Sequence, residues 1–277
     1  MKLFDRLKES RKFLASKTGL KPEWSITLGT GLAALVRDIE VDTVVSFKDI
    51  PHFPQSTVSG HEGKIYFGKL EGRALMAFSG RIHYYEGFSM EEVTYPVRVA
   101  RAMGVSTGLF TNAAGALNRL FKPGDLSIIT DHINWQPNPL IGPNDERLGP
   151  RFVALFPAYN PEHVELMEEI SVEEGINARK GVHVAVTGPS YCSSAELRML
   201  RLLGADTIGM STVPEVIVAW HAGFSNVLGL ACVTDMATGE GHEEVSHEIV
   251  IQTAKKAEEK FCRFVKKIIA RLDIKKT

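Results

Sequence analysis

Short apolar runs alternate with stretches of helical periodicity along nearly the whole chain. The apolar runs predict β-strands, and the stretches between them predict α-helices. The predicted strands are Ser25–Leu28, Lys64–Leu70, Arg73–Ser79, Val105–Thr111, Asp125–Asp131, Val182–Thr187, Asp206–Ser211 and Asn226–Thr234. The predicted helices are Met90–Met103, Pro161–Glu174, Ser194–Leu203, Val213–Gly223 and Val245–Leu272.

Strand, helix and strand in succession predict an α/β fold, in which helices flank a mixed, mainly parallel central sheet. The last helix has apolar residues at helical spacing, so we expect one of its faces to pack on the sheet. These residues are Ile249, Ala254, Ala257, Phe261, Val265, Ile268 and Leu272. No repeat or Gly/Ser linker divides the chain, so we expect a single domain over residues 1–277. The long irregular segment His132–Arg151 is rich in Asn and Pro, which is typical of functional or interfacial loops.

The composition restricts the class of protein. The 277 residues are 44% hydrophobic and 23% charged, with a formal net charge of -1, as in an ordinary globular protein. No basic excess indicates a nucleic-acid partner, no apolar run is long enough for a membrane span, and the charged amino-terminal sequence lacks the apolar core of a signal peptide. Cys192, Cys232 and Cys262 are too scattered for a disulfide framework or a zinc site. We therefore expect a cytoplasmic protein without a metal.

Candidate ligand-binding residues follow several strands, at the sheet edge where open α/β folds bind ligands. The first predicted strand leads into Gly29-Thr30-Gly31, where two glycines would let the backbone approach an anion. The same residues match a relaxed dinucleotide fingerprint, Gly29-x-Gly31-x-x-Ala34, with Asp49 about 20 residues later. The helix between them is too short for a crossover, so the dinucleotide site is the weaker alternative.

The strand Arg73–Ser79 leads into the densest polar cluster, Gly80-Arg81-Ile82-His83-Tyr84-Tyr85-Glu86-Gly87. An extended backbone would place Arg81, His83 and Tyr85 on one side. Arginine offers a bidentate fork for a phosphate, and histidine offers a second donor. A solvated surface cluster is the alternative.

The remaining strand ends add further polar and aromatic residues. Small residues in Asn112-Ala113-Ala114-Gly115 expose backbone amides that can cradle an oxyanion, although a simple exit from the strand explains them equally well. Three more strand ends carry Thr187-Gly188-Pro189-Ser190-Tyr191, Gly209-Met210-Ser211-Thr212-Val213-Pro214-Glu215 and Cys232-Val233-Thr234-Asp235. So many such ends in one chain indicate an assembled pocket.

Together these residues resemble the motifs of the trimeric purine nucleoside phosphorylases and the related methylthioadenosine phosphorylases. The resemblance covers about residues 25–250 in the order of the family. Its motifs are Gly29-Thr30-Gly31, Ser59-Gly60-His61, Gly80-Arg81-x-His83-x-Tyr85-Glu86-Gly87, Asn112-Ala113-Ala114-Gly115, Asp131-His132-Ile133-Asn134, Asn138-Pro139-Leu140-x-Gly142-Pro143-Asn144-Asp145, Gly188-Pro189-Ser190 and Gly209-Met210-Ser211-Thr212-Val213-Pro214-Glu215-Val216.

The resemblance implies a pentosyltransferase of purine salvage, a homotrimer that cleaves purine (2′-deoxy)ribonucleosides reversibly with inorganic phosphate. The products would be the free base and (deoxy)ribose 1-phosphate, and no metal or organic cofactor would be needed. The implied phosphate ligands are Thr30, His61, Arg81, His83, the Ala113 amide and Ser211. The implied nucleoside contacts are Tyr85, Tyr191, Cys192, Met210, Asp235 and His247, together with Phe152 from a neighbouring subunit. The implied catalytic residues are His83, Glu86 and Asp235.

Two positions depart from the inosine- and guanosine-cleaving members, which have glutamate and asparagine where this chain has Cys192 and Asp235. A thiol is a poor acceptor for the N1–H of a 6-oxopurine, whereas an aspartate can accept from a 6-amino group. We therefore predict a preference for 6-aminopurines, and neutral drift at these positions is the alternative explanation.

The methylthioadenosine phosphorylases are similar at both positions but have an apolar residue where this chain has His247. Histidine can bind a 5′-hydroxyl, which a methylthio nucleoside lacks. A methylthioadenosine phosphorylase is therefore the second candidate, after a purine nucleoside phosphorylase. A nicotinamide-dependent oxidoreductase and a non-catalytic nucleotide- or anion-binding protein are the candidates from other classes.

Overall fold

The computed structural model describes residues 1–58, 60–240 and 245–274. Within these ranges the strands are β1 (Trp24–Leu28), β2 (Glu40–Ser46), β3 (Lys64–Leu70), β4 (Arg73–Ser79), β5 (Thr107–Ala116), β6 (Leu126–Trp135), β7 (Ala178–Val186), β8 (Thr207–Gly209) and β9 (Asn226–Met236). The helices are α1 (Leu3–Lys17), α2 (Met90–Val93), α3 (Tyr95–Ala102), α4 (Pro161–Glu173), α5 (Ser194–Leu202), α6 (Val213–His221), α7 (His247–Lys256) and α8 (Glu258–Arg271).

All of these strands belong to one mixed sheet with the order β2-β3-β4-β1-β5-β8-β7-β6-β9. Five pairings among these described strands are parallel: β1 with β4, β1 with β5, β5 with β9, β6 with β7, and β7 with β8. The antiparallel pairings are β2 with β3, β3 with β4, β5 with β8, and β6 with β9. Because β9 also pairs with β5, the strands β5, β8, β7, β6 and β9 close into a ring. The prediction of a single-domain α/β fold with a mixed sheet is confirmed.

Helices cover the two faces of the sheet. On one side α4 and α8 bury Met167, Ile170, Phe261 and Val265 against strand residues such as Ile26. On the other side α1, α3 and α6 pack around the aromatic residues of β3, β4 and β5. The closing helix therefore packs on the sheet as its periodicity predicts, although Ile249 is 39% exposed and the buried stripe begins at Ala254.

Two predicted helices are each divided in the structure. The helix predicted over Met90–Met103 is α2 and α3, which meet at Thr94, and Pro96 follows in the first turn of α3. Proline in the first turn is compatible with a helix start but restricts the residue before it. The helix predicted over Val245–Leu272 is α7 and α8, which meet at Ala257.

The element pattern after β1 contradicts the dinucleotide alternative. A short 3-10 helix, Ala33–Asp38, follows β1 and leads into β2, which pairs antiparallel with β3 at the sheet edge. A dinucleotide fold needs a crossover helix and a second strand parallel to the first, and β2 is not such a strand. Strand β2 and helix α1 were not among the predicted elements. Within the described ranges, no helix combines the length and the apolar character that a membrane crossing requires.

Candidate active site

A cavity of about 400 Å³ lies at the sheet edge where β4, β1, β5 and β9 reach their carboxyl ends. The start of α7 and the segment between β7 and α5 complete its wall. The predicted site residues that line it are Thr30, Arg81, His83, Tyr85, Ala113, Tyr191, Cys192, Met210, Ser211, Asp235 and His247. Motifs that are far apart in the sequence therefore surround one cavity, as the assembled-pocket interpretation predicted.

Arg81 is held rigidly and is only 3% exposed, which excludes a solvated surface cluster. Its Nε donates to Oε2 of Glu215 at 2.8 Å, and its Nη1 donates to the carbonyl oxygen of Thr111 at 2.7 Å. Its Nη2 is buried and has no hydrogen-bond partner among the described residues. A guanidinium fixed at two nitrogens thus keeps the third for a ligand, and an anion is the complement of that charge.

Ser211 is placed at the cavity wall by a strained turn between β8 and α6. Thr212 has φ 75° and ψ −57°, and the N–H of Val213 donates to the carbonyl oxygen of Ser211 at 2.9 Å. These features define a γ-turn, and a β-branched residue in this conformation costs about 1–3 kcal/mol. The backbone N–H of Thr212 donates to Glu215 at 3.2 Å. Glu215 therefore stabilises both the strained turn and Arg81.

His83 is oriented by Glu86. Oε1 of Glu86 accepts from the backbone N–H of His83 at 2.8 Å and lies 3.2 Å from its Nδ1, while Oε2 accepts from the backbone and hydroxyl of Thr57. Burial raises the pKa of Glu86, but the hydrogen bonds from His83 and Thr57 outweigh it and lower that pKa to about 2. An ionised carboxylate only accepts, so Nδ1 of His83 carries a proton and Nε2 is left for a ligand. Burial lowers the pKa of His83, which favours the neutral ring.

The predicted extended backbone is wrong beyond His83. Residues Tyr84–Glu86 form a 3-10 helix, and Gly87 ends it with φ 92°. The ring of Tyr85 nevertheless stacks on His83, with the ring centroids 4.7 Å apart, and Tyr85 lines the cavity. The turn, rather than strand alternation, brings the two rings together.

His61 supports the site without lining the cavity. Its Nε2 lies 3.3 Å from the hydroxyl of Thr30, its Nδ1 lies 2.9 Å from the carbonyl oxygen and 3.0 Å from the backbone nitrogen of Arg81, and its ring stacks on His83 with centroids 5.3 Å apart. Burial and the charges of His83 and Arg81 lower the pKa of His61 to about 4. Beside Thr30, a Cβ on Gly29 would lie 2.7 Å from Cα of Asn112, so only glycine lets β1 end this close to β5.

Asp235 reaches the cavity through a bulge in β9. The pairing of β5 with β9 shifts between Ala114 and Gly115, so that Gly115 pairs with Asp235. The hydroxyl of Thr234 donates to Oδ1 of Asp235 at 2.8 Å. Bulges of this kind re-aim side chains beside functional sites.

An aromatic ring and a thiol line the same cavity as Asp235. Burial, followed by the charge of Asp235, raises the pKa of Tyr191, and burial raises the pKa of Cys192. Both groups therefore stay protonated at neutral pH. Met210 and His247, the first residue of α7, line the same cavity.

The comparisons with known proteins match nearly the whole chain. A family model described as the phosphorylase superfamily matches residues 26–270. Purine nucleoside phosphorylase 1 of Geobacillus stearothermophilus is 47% identical over 264 residues, which are 95% of this chain and 96% of the relative. Purine nucleoside phosphorylase 1 of Bacillus subtilis (strain 168) is 46% identical over 270 residues, 97% of this chain and 99% of the relative. The chain belongs to the purine nucleoside phosphorylase family.

Solved structures of the family have the same fold. Isoform 2 of the Schistosoma mansoni purine nucleoside phosphorylase, in complex with cytosine and ribose-1-phosphate, matches with a TM-score of 0.93 and 36% identity over 98% of each chain. The purine nucleoside phosphorylase of the same organism in complex with adenosine matches with a TM-score of 0.92 and 36% identity over 98% of each chain.

Phe152 is the predicted site residue that lies outside both the cavity wall and the hydrogen-bonded groups behind it. Phe152 is 86% exposed, and Phe156 and Ile141, which also lie between β6 and α4, are 95% and 80% exposed. The irregular segment between these two elements begins later than predicted, because residues His132–Trp135 belong to β6. Among the other motif residues, Ser59 lies outside the described residues.

Two further residues of the site were not assigned a role from the sequence. Glu215 is the partner of Arg81, and Asn112 lines the cavity while being 2% exposed. Each stands inside one of the family motifs, but an acidic residue in the first turn of a helix is also an ordinary capping residue. Among the described residues, no group of three or more His, Cys, Asp or Glu side chains could hold a metal ion.

Proposed function

We propose that this chain is a purine nucleoside phosphorylase, which cleaves purine nucleosides with inorganic phosphate to free base and ribose 1-phosphate. The names of its relatives at 46–47% identity support this activity. The observation that carries the proposal is the buried Arg81, whose Nη2 has no partner among the described residues. Thr30 and Ser211 line the same cavity, so an anion there would meet their hydroxyl donors beside the guanidinium of Arg81.

The chemistry follows from the charges that bond cleavage creates. As the glycosidic C–N bond breaks, positive charge develops on the ribose, and the bonding electron pair moves onto the purine. Phosphate held by Arg81, Ser211 and the Ala113 amide would stabilise the positive charge, and one of its oxygens would form the new bond to C1′. A hydrogen-bond donor at N7 would stabilise the departing base. The roles of His83, Glu86 and Asp235 in this step are part of the proposal.

We further propose that the base site favours 6-aminopurines. Asp235 lines the cavity beside Tyr191, and an ionised carboxylate accepts from a 6-amino group but repels the O6 of a 6-oxopurine. Cys192 lines the same cavity with its thiol protonated, so it supplies no strong acceptor for a base N1–H. His247 lines the cavity as well, and its ring can bind a 5′-hydroxyl, which favours ordinary nucleosides over 5′-methylthioadenosine.

The assembly and setting of the enzyme are proposed on separate grounds. We propose a homotrimer in which Phe152 reaches a neighbouring active site, because the segment that contains it exposes large apolar side chains. The chemistry above needs only phosphate as co-substrate, so we propose that no cofactor takes part. A single domain over residues 1–277 and a cytoplasmic location stay predictions.

A substrate panel tests the proposed function directly. Adenosine, inosine, guanosine and 5′-methylthioadenosine are incubated with the enzyme, with and without phosphate, and release of free base is measured. We expect release that depends on phosphate, with adenosine preferred. Release that is independent of phosphate, or no release from any nucleoside, would contradict the proposal. A higher kcat/KM for 5′-methylthioadenosine than for adenosine would make the chain a methylthioadenosine phosphorylase.

A further inference from the structure

Asn112 is part of a buried hydrogen-bonded chain behind the cavity. Its Nδ2 lies 3.3 Å from Nε2 of His183 and 3.2 Å from the carbonyl oxygen of Ala113. On the far side, Nδ1 of His183 lies 2.9 Å from the hydroxyl oxygen of Thr207. His183 and Thr207 are both 0% exposed. The Oδ1 of Asn112 is buried and has no hydrogen-bond partner in the described part of the chain.

The carbonyl of Ala113 determines which way the Asn112 carboxamide faces. A carbonyl oxygen only accepts, so the Asn112 atom beside it must be the N–H donor. The same nitrogen then donates to Nε2 of His183, which requires the proton of the neutral ring to be on Nδ1. That proton is donated to Thr207. Every polar side-chain atom of Asn112, His183 and Thr207 thus has a hydrogen-bonding role, except Oδ1 of Asn112.

The surroundings keep this arrangement in place. Burial lowers the pKa of His183 to about 3, so the ring stays neutral and its Nε2 remains an acceptor. A Cβ on Gly209 would lie 2.8 Å from Nδ2 of Asn112 and 3.0 Å from Cε1 of His183. The backbone of β8 therefore packs directly on both side chains, which leaves little room for the carboxamide to turn.

We propose that Oδ1 of Asn112 accepts a hydrogen bond from an O–H group of a bound reactant, and that His183, backed by Thr207, is a positioning residue for it. The inference rests on the proposed function. An amide oxygen repels the bare oxygens of phosphate, and the 6-amino group of the base is assigned to Asp235, so the remaining donors are hydroxyl groups. Such a hydroxyl belongs either to the sugar or to hydrogen phosphate. Both sources are compatible with the position of Asn112. The next residue, Ala113, has the amide that is proposed to bind phosphate, and the Asn112 side chain lies against Gly209, which precedes the proposed nucleoside contact Met210.

The acceptor is tested with Asn112→Leu, which keeps the volume of the side chain and removes its oxygen. Steady-state kinetics are measured with adenosine, 2′-deoxyadenosine and 3′-deoxyadenosine, and with varied phosphate. We expect kcat/KM to fall roughly 3- to 10-fold, which is the loss of one neutral hydrogen bond. If a sugar hydroxyl is the donor, Asn112→Leu should not change kcat/KM for the analogue that lacks that hydroxyl. If hydrogen phosphate is the donor, the phosphate KM rises equally with all three nucleosides.

The positioning role is tested with His183→Phe and Thr207→Val, neither of which touches the ligand. We expect both variants to change the kcat/KM values in the same pattern as Asn112→Leu, by a smaller factor. His183→Gln, whose side-chain oxygen can accept from Asn112, should stay close to the wild-type selectivity. Ser127→Ala is the matched control, because Ser127 is buried on β6 and its hydroxyl has no partner among the described residues. Its kinetics should equal those of the wild type.

The outcomes separate the inference from the function on which it rests. If the wild type releases base only with phosphate and Asn112→Leu matches it with every substrate, the acceptor role is wrong and the function stands. If His183→Phe and Thr207→Val change only the melting temperature while Asn112→Leu changes selectivity, the positioning role is wrong. A wild type that cleaves no nucleoside would overturn both the function and the inference.

Discussion

The buried pair of Arg81 and Glu215 combines a structural role with a ligand-binding role, and paired substitutions can separate the two. The side chains are 2% and 4% exposed and lie 2.8 Å apart. Arg81→Met alone would leave the carboxylate of Glu215 buried and unpaired. Burial already raises the pKa of Glu215, so the ionised form depends on the charge of Arg81.

The magnitudes follow from that burial. Removing one partner of a buried ion pair costs about 3–5 kcal/mol, whereas replacing both by apolar residues is often neutral or stabilising. At roughly 2–4 °C per kcal/mol for a domain of this size, Arg81→Met should lower the melting temperature by at least about 6 °C. The double variant Arg81→Met/Glu215→Gln removes the unpaired charge and keeps an acceptor for the backbone N–H of Thr212, so it should recover part of that loss. Both variants should lose one charge-assisted hydrogen bond to phosphate, worth about 1.5–3 kcal/mol, and the phosphate KM should rise roughly 10- to 150-fold.

The assay measures thermal unfolding at one fixed protein concentration and the phosphate KM with adenosine in saturating amount. The double variant is the decisive protein, because it should be folded and yet lack the anion site. A phosphate KM unchanged in the double variant would remove Arg81 from the phosphate site. A double variant no more stable than Arg81→Met would mean that the buried pair does not have the energetics that its geometry implies.

Three further predictions concern the base site, the exposed loop and pH. Asp235→Asn combined with Cys192→Glu should shift the ratio of kcat/KM values from adenosine towards inosine by roughly 10- to 100-fold, and an unchanged ratio would contradict the proposed base preference. Phe152→Ala should leave the fold intact but raise the nucleoside KM, because the side chain is proposed to reach a neighbouring active site. Sedimentation of the wild type should find a trimer, and a fully active monomer would refute this assembly. Burial is the largest cause that lowers the pKa of His61 and the pKa of His221, each from 6.5 to about 4. Between pH 6.5 and pH 4 the unfolded chain therefore binds protons that the folded chain does not. Stability should therefore be fully present above pH 6.5 and fall as pH decreases towards 4, by about 1.4 kcal/mol per pH unit for each histidine; equal denaturation midpoints at pH 7 and pH 5 would contradict this.

The strands of the sheet were predictable because their apolar runs are continuous. Strands β3 and β4 begin and end at the predicted residues. Strands β6 and β9 extend beyond the predicted ends, because polar residues such as Asn134 and Asp235 continue their ladders and resemble loop residues in the sequence. Strand β2 was missed because it is an edge strand that buries little of its length, and its alternation is correspondingly weak.

The closure of the sheet could not be predicted from local patterns. The pairings of β5 with both β8 and β9 join segments that are far apart in the chain. No periodicity of a single segment specifies which distant strand it will pair with. The same limit applies to the Asn112, His183 and Thr207 chain. Each residue stands in an apolar strand, where an isolated polar residue indicates only that a partner is needed.

The cluster around His83 illustrates how a correct expectation can rest on the wrong geometry. Strand alternation predicted that His83 and Tyr85 would share one side, and both residues do line the cavity. The backbone between them is a 3-10 turn, and Glu86 holds that turn by accepting from the backbone of His83. The carboxylate of Glu86 thus closes the turn and fixes the imidazole, and the donors of His83 and Thr57 around it lower its pKa. Glu86→Gln should therefore disturb both the turn and the proton position on His83, although Glu86 does not line the cavity.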